Sequence, residues 1–287
     1  MENLSKKLYI PILCLFILNI FIWNLIFSSQ TGIKLYFLNV GQGDSELIEF
    51  SNGTFSNPVH ILIDAGVGNG EALKNLDRII SPFSKRLDMA LATHAQLDHF
   101  GGFMDIFQKY KVGYFISNGK PNTTKSYESL MNIIDSQKIN KIKLVEGDLI
   151  SYRDYKLKIL SPDAPSLASK ELNDGCLVTK LESKELTALF TCDISSNIED
   201  ILVKKYNLAS DILKVPHHGS RFSSSANFLS AVSPKVSIIE VGKNTYGHPT
   251  PDALKRLSNS ASLIFTTKDN GTILVEPINN LLKVYKM

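Results

Sequence analysis

The ten residues Thr93–Gly102 read THAQLDHFGG and directly follow an apolar run, Met89–Ala92, that predicts a short buried strand. His94, Asp98 and His99 therefore stand close together at the end of a strand. Imidazole and carboxylate are ligands that suit zinc or the harder ion manganese. The closing glycine pair lets a helix start beside these side chains, and a helix N-terminus favours an anionic ligand. The stretch predicts a metal site that receives an anion.

Further polar side chains follow other apolar runs. The stretch VPHHGS, residues 215–220, carries His217 and His218, and LFTCD, residues 189–193, delivers Asp193. Asp193 alone could equally cap the helix that follows it, but the histidine clusters make it a candidate ligand. A lone histidine before proline, such as His248 in YGHP, is more typical of a turn. His60 lies outside these clusters, within a predicted strand, and we expect it to be structural.

The strand pattern predicts how these groups meet. Short apolar strands alternate with helical runs from Lys34–Val40 to Gly271–Glu276, and one helix is predicted over Gly102–Tyr110. Asp64, like His94 and Asp193, ends an apolar strand, where diverging loops leave a crevice for ligands. Strands that extend two sheets, with helices outside them, predict an αββα sandwich.

The N-terminus differs from the remainder of the 287 residues. Leu8–Ser28 is an uncharged apolar run of about 21 residues, close to the ~20 that span a membrane as a helix. Lys6 and Lys7 precede it, which favours a cytoplasmic N-terminus and an exported remainder. A cleaved signal peptide is the alternative, although Phe27–Gln30 is only a fair cleavage site. We predict a cytoplasmic tip and anchor, or uncleaved signal, at residues 1–30. Residues 31–287 then form an extracytoplasmic domain on a single-pass membrane protein.

The net charge and the cysteines restrict the function less than the motifs do. The net charge of +3 neither requires nor excludes a DNA substrate. Cys176 and Cys192 flank the two arms of a predicted hairpin, Leu177–Glu182 and Thr187–Thr191, and stand about opposite each other. Cross-strand Cβ spacings of about 4.5–5.5 Å are near the range of a disulfide. A disulfide, which an exported domain could retain, and two buried free thiols both stay open.

The motifs taken together resemble the metallo-β-lactamase fold and, more narrowly, the extracellular or periplasmic hydrolase domain of ComEC-type competence proteins. The resemblance covers nearly all of residues 33–276, and the ordered series of motifs is highly specific. The series is FLNVGQGDS, LIDAG, THAQLDHFGG, TCDI, KVPHHGS and VGKNTYGHPTP.

The resemblance implies one or two divalent metal ions, zinc or manganese, between two sheets of an αββα sandwich. His94 matches a ligand of the first ion, and Asp98 and His99 match ligands of the second. Asp193 matches the carboxylate that bridges both ions, and His218 matches the strand-end histidine ligand. The resemblance also counts Asp98 among the catalytic residues.

Other positions match residues around the ions. His217 then contacts the substrate or donates a proton, and Asp64 orients the ligands from behind. Lys243 and His248 match the late motif and imply contacts to the leaving group or a phosphate.

Three departures from the family pattern bear on the metal site. Gln96 stands where the family has a histidine or aspartate ligand, and glutamine is a poorer ligand for a divalent transition metal, so we expect the first ion to bind weakly or not at all. The middle histidine of the fold is missing, and Asn173 and Asp174 match the asparagine-rich segment found there in the subfamily, behind the ligands. Cys192 replaces the glycine before the bridging aspartate.

The resemblance implies an exported metal-dependent hydrolase that cleaves phosphodiesters, with DNA as the best-known substrate and other DNA-uptake or envelope proteins as partners. Two alternatives stay open. One is a cell-wall esterase that acts on teichoic-acid phosphocholine. The other is a non-enzymatic binding module in which Gln96 marks a weakened site. The oligomeric state is open.

Overall fold

The computed structural model describes residues 2–27, 31–53 and 56–287. The strands are β1 (Thr31–Phe37), β2 (Glu46–Asn52), β3 (Val59–Ile63), β4 (Arg86–Ala92), β5 (Lys111–Ser117), β6 (Asn140–Lys143), β7 (Leu149–Tyr152), β8 (Tyr155–Ser161), β9 (Val178–Glu182), β10 (Thr187–Phe190), β11 (Ile212–Lys214), β12 (Val236–Ile239), β13 (Leu263–Thr266), β14 (Ile273–Ile278) and β15 (Leu281–Lys286). The helices are α1 (Glu2–Phe27), α2 (Glu71–Ile79), α3 (Leu97–Phe100), α4 (Phe103–Ile106), α5 (Lys125–Ser136), α6 (Ala164–Ala168), α7 (Ser196–Lys205), α8 (Ala226–Val232), α9 (Pro251–Asn259) and α10 (Thr267–Asn270).

The strands form two sheets. One has eight strands in the order β15-β14-β1-β2-β3-β4-β5-β6, and the other has seven in the order β13-β12-β11-β10-β9-β8-β7. One apolar core lies between the sheets, and two others lie under the helices on the outer face of each sheet. The predicted αββα sandwich is thereby confirmed for the part of the chain that the structure describes.

Strand β1 shows why both faces of a central strand are apolar. Side chains alternate between faces along a strand, so Leu35 and Phe37 enter the core between the sheets. Tyr36 and Leu38 enter the core under the helices. The ring of Phe37 lies 6.1 Å from that of Phe190 in the other sheet, which ties the sheets together. Burial of one such side chain contributes about 1.5–3 kcal/mol.

Parallel pairing brings the predicted site residues to one edge. Strands β3, β4 and β5 run parallel to one another, as do β10, β11 and β12. The residues after β3, β4, β10 and β11 therefore emerge at the C-terminal ends of parallel strands, where a crevice forms. These are the positions of Asp64, His94, Asp193 and the pair His217–His218.

The segment after β4 differs from its prediction. The predicted helix Gly102–Tyr110 is reduced to one helical turn, α4, and another single-turn helix, α3, precedes it inside the metal motif. Gly101 and Gly102 pack against the turn after β3, where a Cβ would collide with the backbone of Val67 or Ala65. The backbone N–H of Gly102 donates to the carbonyl of Gly66 at 3.0 Å. This close approach breaks the helix and places Asp98 and His99 beside β3.

Two edge strands were not predicted, β7 and β15. Half or more of their side chains are exposed, so their apolar alternation is weak. The predicted membrane anchor ends at Ser28, which lies outside the described residues. Within residues 2–27, 31–53 and 56–287, no helix combines the length and the apolar character required to cross a membrane.

Candidate metal centre

Four predicted ligands converge at the sheet edge. Single ligand atoms of Asp98, His99, Asp193 and His218 all lie within 4.8 Å of one another. The Oδ2 atom of Asp193 is 3.4 Å from Nε2 of His99 and 3.5 Å from Nε2 of His218. The latter nitrogen is 3.6 Å from Oδ2 of Asp98. Three of the four side chains are buried, and Asp98 is partly exposed at the opening.

The unpartnered atoms of this cluster fit a divalent cation. Nε2 of His99, Nε2 of His218 and Oδ1 of Asp193 are buried and make no hydrogen bond. A buried polar atom without a partner is costly unless something else satisfies it. Two imidazole nitrogens and two carboxylates are a donor set that zinc and manganese accept. These residues would therefore hold one ion.

Groups behind the two histidines direct those nitrogens into the cluster. Nδ1 of His99 donates to Oδ2 of Asp64 at 2.7 Å, and Nδ1 of His218 donates to the carbonyl of Glu240 at 2.8 Å. With Nδ1 protonated, the lone pair of each Nε2 is free to bind a metal. Thr93 holds Asp64 through its backbone N–H at 2.8 Å and its hydroxyl at 2.6 Å. Asp64 thus lies behind His99, where it can hold the orientation of that ring.

The electrostatics of the cluster favour a cation. Burial opposes ionisation of Asp193, but the imidazoles of His218 and His99 hold its pKa well below the usual range. Burial likewise opposes protonation of His218, but Asp193 and Asp44 raise its pKa to about 10. The carboxylates thus stabilise positive charge here, and a metal ion would displace protons from the imidazoles when it binds.

His94 lies beside the cluster but faces other partners. Its Nε2 is 2.9 Å from Oε1 of Gln96, and its Nδ1 is 3.2 Å from Sγ of Cys192. Burial, together with the neighbouring His99, lowers the pKa of His94 to about 4, so the ring is neutral. A ligand role would require Nε2 to leave Gln96. His94 therefore does not present Nε2 to the ligand cluster.

Sequence reasoning missed a layer of buried charge below the ligands. Lys214 is fully buried; its ammonium pairs closely with Asp44 and donates to the carbonyl of Cys192 at 3.2 Å. Oδ1 of Asp44 lies 3.2 Å from Nδ1 of His218. The carboxylate of Asp44 therefore stands between the ammonium of Lys214 and the ring of a candidate ligand. The signal in the sequence was a lysine inside the apolar run Ile212–Val215, because such residues are seldom buried unless paired.

Two glutamates complete this layer. Glu46 and Glu240 are buried side by side near Asp44. Burial and the charge of Glu240 raise the pKa of Glu46 well above its usual range. Burial and the charge of Asp44 raise the pKa of Glu240 to about 8. The pair therefore retains a proton at neutral pH, which limits the negative charge beneath the ligands.

An open cavity of about 360 Å³ lies above the ligands. His217 and His248 line it with their rings 5.6 Å apart, and Asn173 lies on its wall. Two predicted residues are placed elsewhere. Asp174 accepts a hydrogen bond from Ser169 at 2.6 Å, and Lys243 is exposed and does not line the cavity.

Of the two alternatives left open for Cys176 and Cys192, the structure shows the disulfide, with Cα atoms 6.1 Å apart. The β9–β10 ladder ends before both cysteines, and Cys192 takes a left-handed backbone with φ 51°. The backbone N–H of Asp193 donates to Sγ of Cys176 at 3.4 Å. The disulfide therefore joins the segment that carries Asn173 to the backbone that presents Asp193.

Loss of the disulfide is expected to lower the free energy of unfolding by about 3 kcal/mol, the value for a closed loop of roughly 15 residues. Urea denaturation of the Cys176→Ala/Cys192→Ala variant, and of the wild type under dithiothreitol, measures the loss. The reduced wild type separates the cross-link from the change of side chain, and Cys14→Ser is the control. Unchanged midpoints in both samples would contradict the prediction.

Comparisons with known proteins agree with this architecture. ComE operon protein 3 of Bacillus subtilis is 29% identical over 264 residues, which cover 86% of this chain and 33% of that protein. Competence protein ComA of Neisseria gonorrhoeae is 27% identical over 238 residues, 82% of this chain and 31% of that protein. The chain therefore spans about a third of the length of these relatives.

Among solved structures, the metallo-beta-lactamase fold protein YhfI of Bacillus subtilis has a TM-score of 0.58 at 10% identity, over 85% of this chain and 99% of that one. This likeness shows the fold. The family described as the metallo-beta-lactamase superfamily matches residues 56–242, which include all four residues of the ligand cluster together with His94 and Gln96. Because that match covers well over half of the chain, the protein belongs to the metallo-beta-lactamase superfamily.

Proposed function

We propose that this chain is a phosphodiesterase that uses one divalent ion and cleaves DNA in competence-related uptake. The observation that carries the proposal is the cluster of four ligands at the floor of an open cavity, with three buried donor atoms left without partners. The superfamily usually binds one or two divalent ions, and its chemistry supports a hydrolase. The choice of a phosphodiester follows from the likeness to the competence proteins.

The residues of the cavity can be assigned roles. Asp98, His99, Asp193 and His218 would hold a divalent ion, and its Lewis acidity would make water a nucleophile at neutral pH. His217 is partly exposed, with Nε2 3.8 Å from Oδ2 of Asp193, and burial lowers its pKa, so the ring is neutral at neutral pH. It can therefore accept the proton of the attacking water and pass it to the leaving oxygen. The amides of Gln42 and Asn173 on the cavity wall offer donors to phosphoryl oxygens. Lys243, at the surface, attracts the substrate from outside.

A binding module is the second candidate, and the contact between His94 and Gln96 favours it. If the first ion cannot bind, the remaining site could hold a phosphate without turning it over. Both candidates share one location in our proposal, outside the cytoplasm, with competence or envelope proteins as partners. The disulfide supports this location because disulfides persist in oxidising compartments. Membrane fractionation and protease accessibility of intact cells would test both the anchor and the orientation.

Hydrolysis assays on the full chain test the function. We expect metal-dependent cleavage of bis(p-nitrophenyl) phosphate and of single-stranded DNA, with activity proportional to one bound zinc or manganese per chain. Turnover of p-nitrophenylphosphorylcholine alone would instead support the cell-wall esterase. DNA binding without any turnover would support the binding module.

Gln96→Asp in the same assay is expected to raise metal content from one ion per chain to two and to increase turnover. The carboxylate supplies an anionic ligand and frees Nε2 of His94 from the amide. Gln96→Asn, which keeps a neutral amide, serves as the matched control and should stay at one ion. A wild type that already binds two ions, or a Gln96→Asp protein that stays at one, would contradict the expectation.

A further inference from the structure

We infer that a second cavity beside the metal centre is a base-stacking subsite for single-stranded nucleic acid, formed by Phe222 and Tyr246, with Arg221 as its phosphate contact. The inference rests on the proposed phosphodiesterase function. This side cavity has a volume of about 420 Å³ and is lined by these three residues together with His217 and His248. Its size lies in the range of small-ligand sites, roughly 300–1,000 Å³.

The two aromatic rings are unusually exposed for their size. Phe222 is 64% exposed and Tyr246 is 73% exposed. Burial of such a ring would contribute about 1.5–3 kcal/mol to stability, so the fold gains little from either ring where it lies. Exposed apolar groups gathered at a cavity mark a binding surface more often than scattered ones do.

Both rings are held on ordered loops. Asn244 donates to the carbonyls of Gly242 and His248 at 3.0 and 2.8 Å, and its Oδ1 accepts the backbone N–H groups of Tyr246 and His248 at 3.1 Å. This one side chain therefore closes the loop that presents Tyr246. A loop whose backbone is held in place loses little entropy when a partner binds.

Hydrogen bonds also hold the backbone of the loop that carries Phe222. Its carbonyl accepts the backbone N–H of Ser196 at 2.9 Å, and its own N–H donates to Oγ of Ser220 at 3.3 Å. Arg256 donates to the carbonyl of Arg221 at 3.1 Å. The neighbouring guanidinium of Arg221 lies 4.7 Å from the centre of the Phe222 ring. An arginine stacked on an aromatic ring presents a flat face to a base and a positive charge to a phosphate.

The side cavity continues from the metal centre. His217, His248 and Tyr246 line both cavities. A strand whose scissile phosphate lies at the ligands would therefore place a neighbouring nucleotide against the two rings. The acidic ligands need an ion to receive that phosphate, whereas Arg221 contacts the next one directly. Unpaired bases stack on aromatic rings without regard to sequence, so the occupant is a single strand, not a duplex.

Fluorescence anisotropy on the metal-loaded full chain tests the subsite. The probes are a labelled octathymidylate and an abasic octamer, both with phosphorothioate linkages that resist hydrolysis. We expect the wild type to prefer octathymidylate. Phe222→Ala and Tyr246→Ala should each weaken that binding by about 5- to 150-fold, the equivalent of one stacked base. Affinity for the abasic octamer should stay unchanged, and Tyr246→Phe should retain wild-type affinity.

Two controls sharpen the result. Phe83 lies just before β4, is 97% exposed and serves as the control ring. Phe83→Ala should change the affinity for neither octathymidylate nor the abasic octamer. Arg221→Gln should reduce the slope of log affinity against log salt by about 0.7. Equal affinities for the two probes in the wild type, or no effect of either alanine variant, would overturn the subsite. Binding through the rings with no hydrolysis of any phosphodiester would overturn the proposed function alone, and hydrolysis without base preference would overturn the subsite alone.

Discussion

Asp193→Asn is expected to abolish tight metal binding and to reduce hydrolysis below detection. The carboxylate of Asp193 lies 3.4 and 3.5 Å from Nε2 of His99 and His218, so it is the group that the other buried ligands share. The amide keeps the shape of the side chain but removes its charge in a buried site, where a neutral oxygen cannot compensate a divalent ion. Metal content after dialysis and the phosphodiesterase assay measure the two effects.

Two further variants, with smaller expected effects on metal binding, test whether the loss is specific to Asp193. Asp64→Asn is expected to lower metal affinity by about 10- to 100-fold, because it only loosens the orientation of His99. Asp135→Asn, which disrupts an exposed pair with Lys141, should leave metal content unchanged. If Asp193→Asn kept wild-type metal content while its circular dichroism showed a normal fold, the ion would have to lie elsewhere.

Lys214→Met is expected to lower the free energy of unfolding by about 3–5 kcal/mol. The lysine is fully buried and pairs with Asp44, and its ammonium is 4.0 Å from Oδ1 of Asp193. Burial alone would lower its pKa, but Asp44 and Asp193 raise it above the usual range, so the side chain is charged. Removal of one partner of a buried ion pair leaves the other charge uncompensated. Urea denaturation, with unchanged m-value, gives the loss directly.

Two further variants separate charge from packing. Lys214→Met/Asp44→Asn should recover part of the lost stability, because it removes the uncompensated carboxylate as well. Lys180→Met is the matched buried lysine, and it should cost less, since Nζ of Lys180 donates to the carbonyl of Asn207 at 2.9 Å and is 3.7 Å from Glu182. Equal losses in Lys180→Met and Lys214→Met would show that packing, not charge, accounts for the effect.

Local patterns were sufficient to predict the sheets and the sheet edge that carries the site. Central strands such as β3 and β4 end in apolar runs, Ile61–Ile63 and Met89–Ala92, and a polar residue directly after such a run marks a strand end. The metal chemistry was equally local, because His94, Asp98 and His99 stand within one motif. Edge strands such as β15 were not predicted, because strands with many exposed side chains show little apolar alternation.

The sequence by itself determined the fold family, the edge where the site lies and the types of ligand, since these depend on side-chain chemistry and apolar periodicity over a few residues. The resemblance assigned His218 to the ligands and His217 to the substrate, and the tertiary structure supplies the physical reason, because the left-handed backbone at both residues directs their side chains differently. His218 is buried among the ligands, whereas His217 faces the cavity. The pairing of Lys214 with Asp44 joins residues 170 positions apart, and no local pattern encodes such a contact. The THAQLDHFGG stretch predicts a metal site, but the packing around it directs His99 into the ligand cluster and His94 towards Gln96.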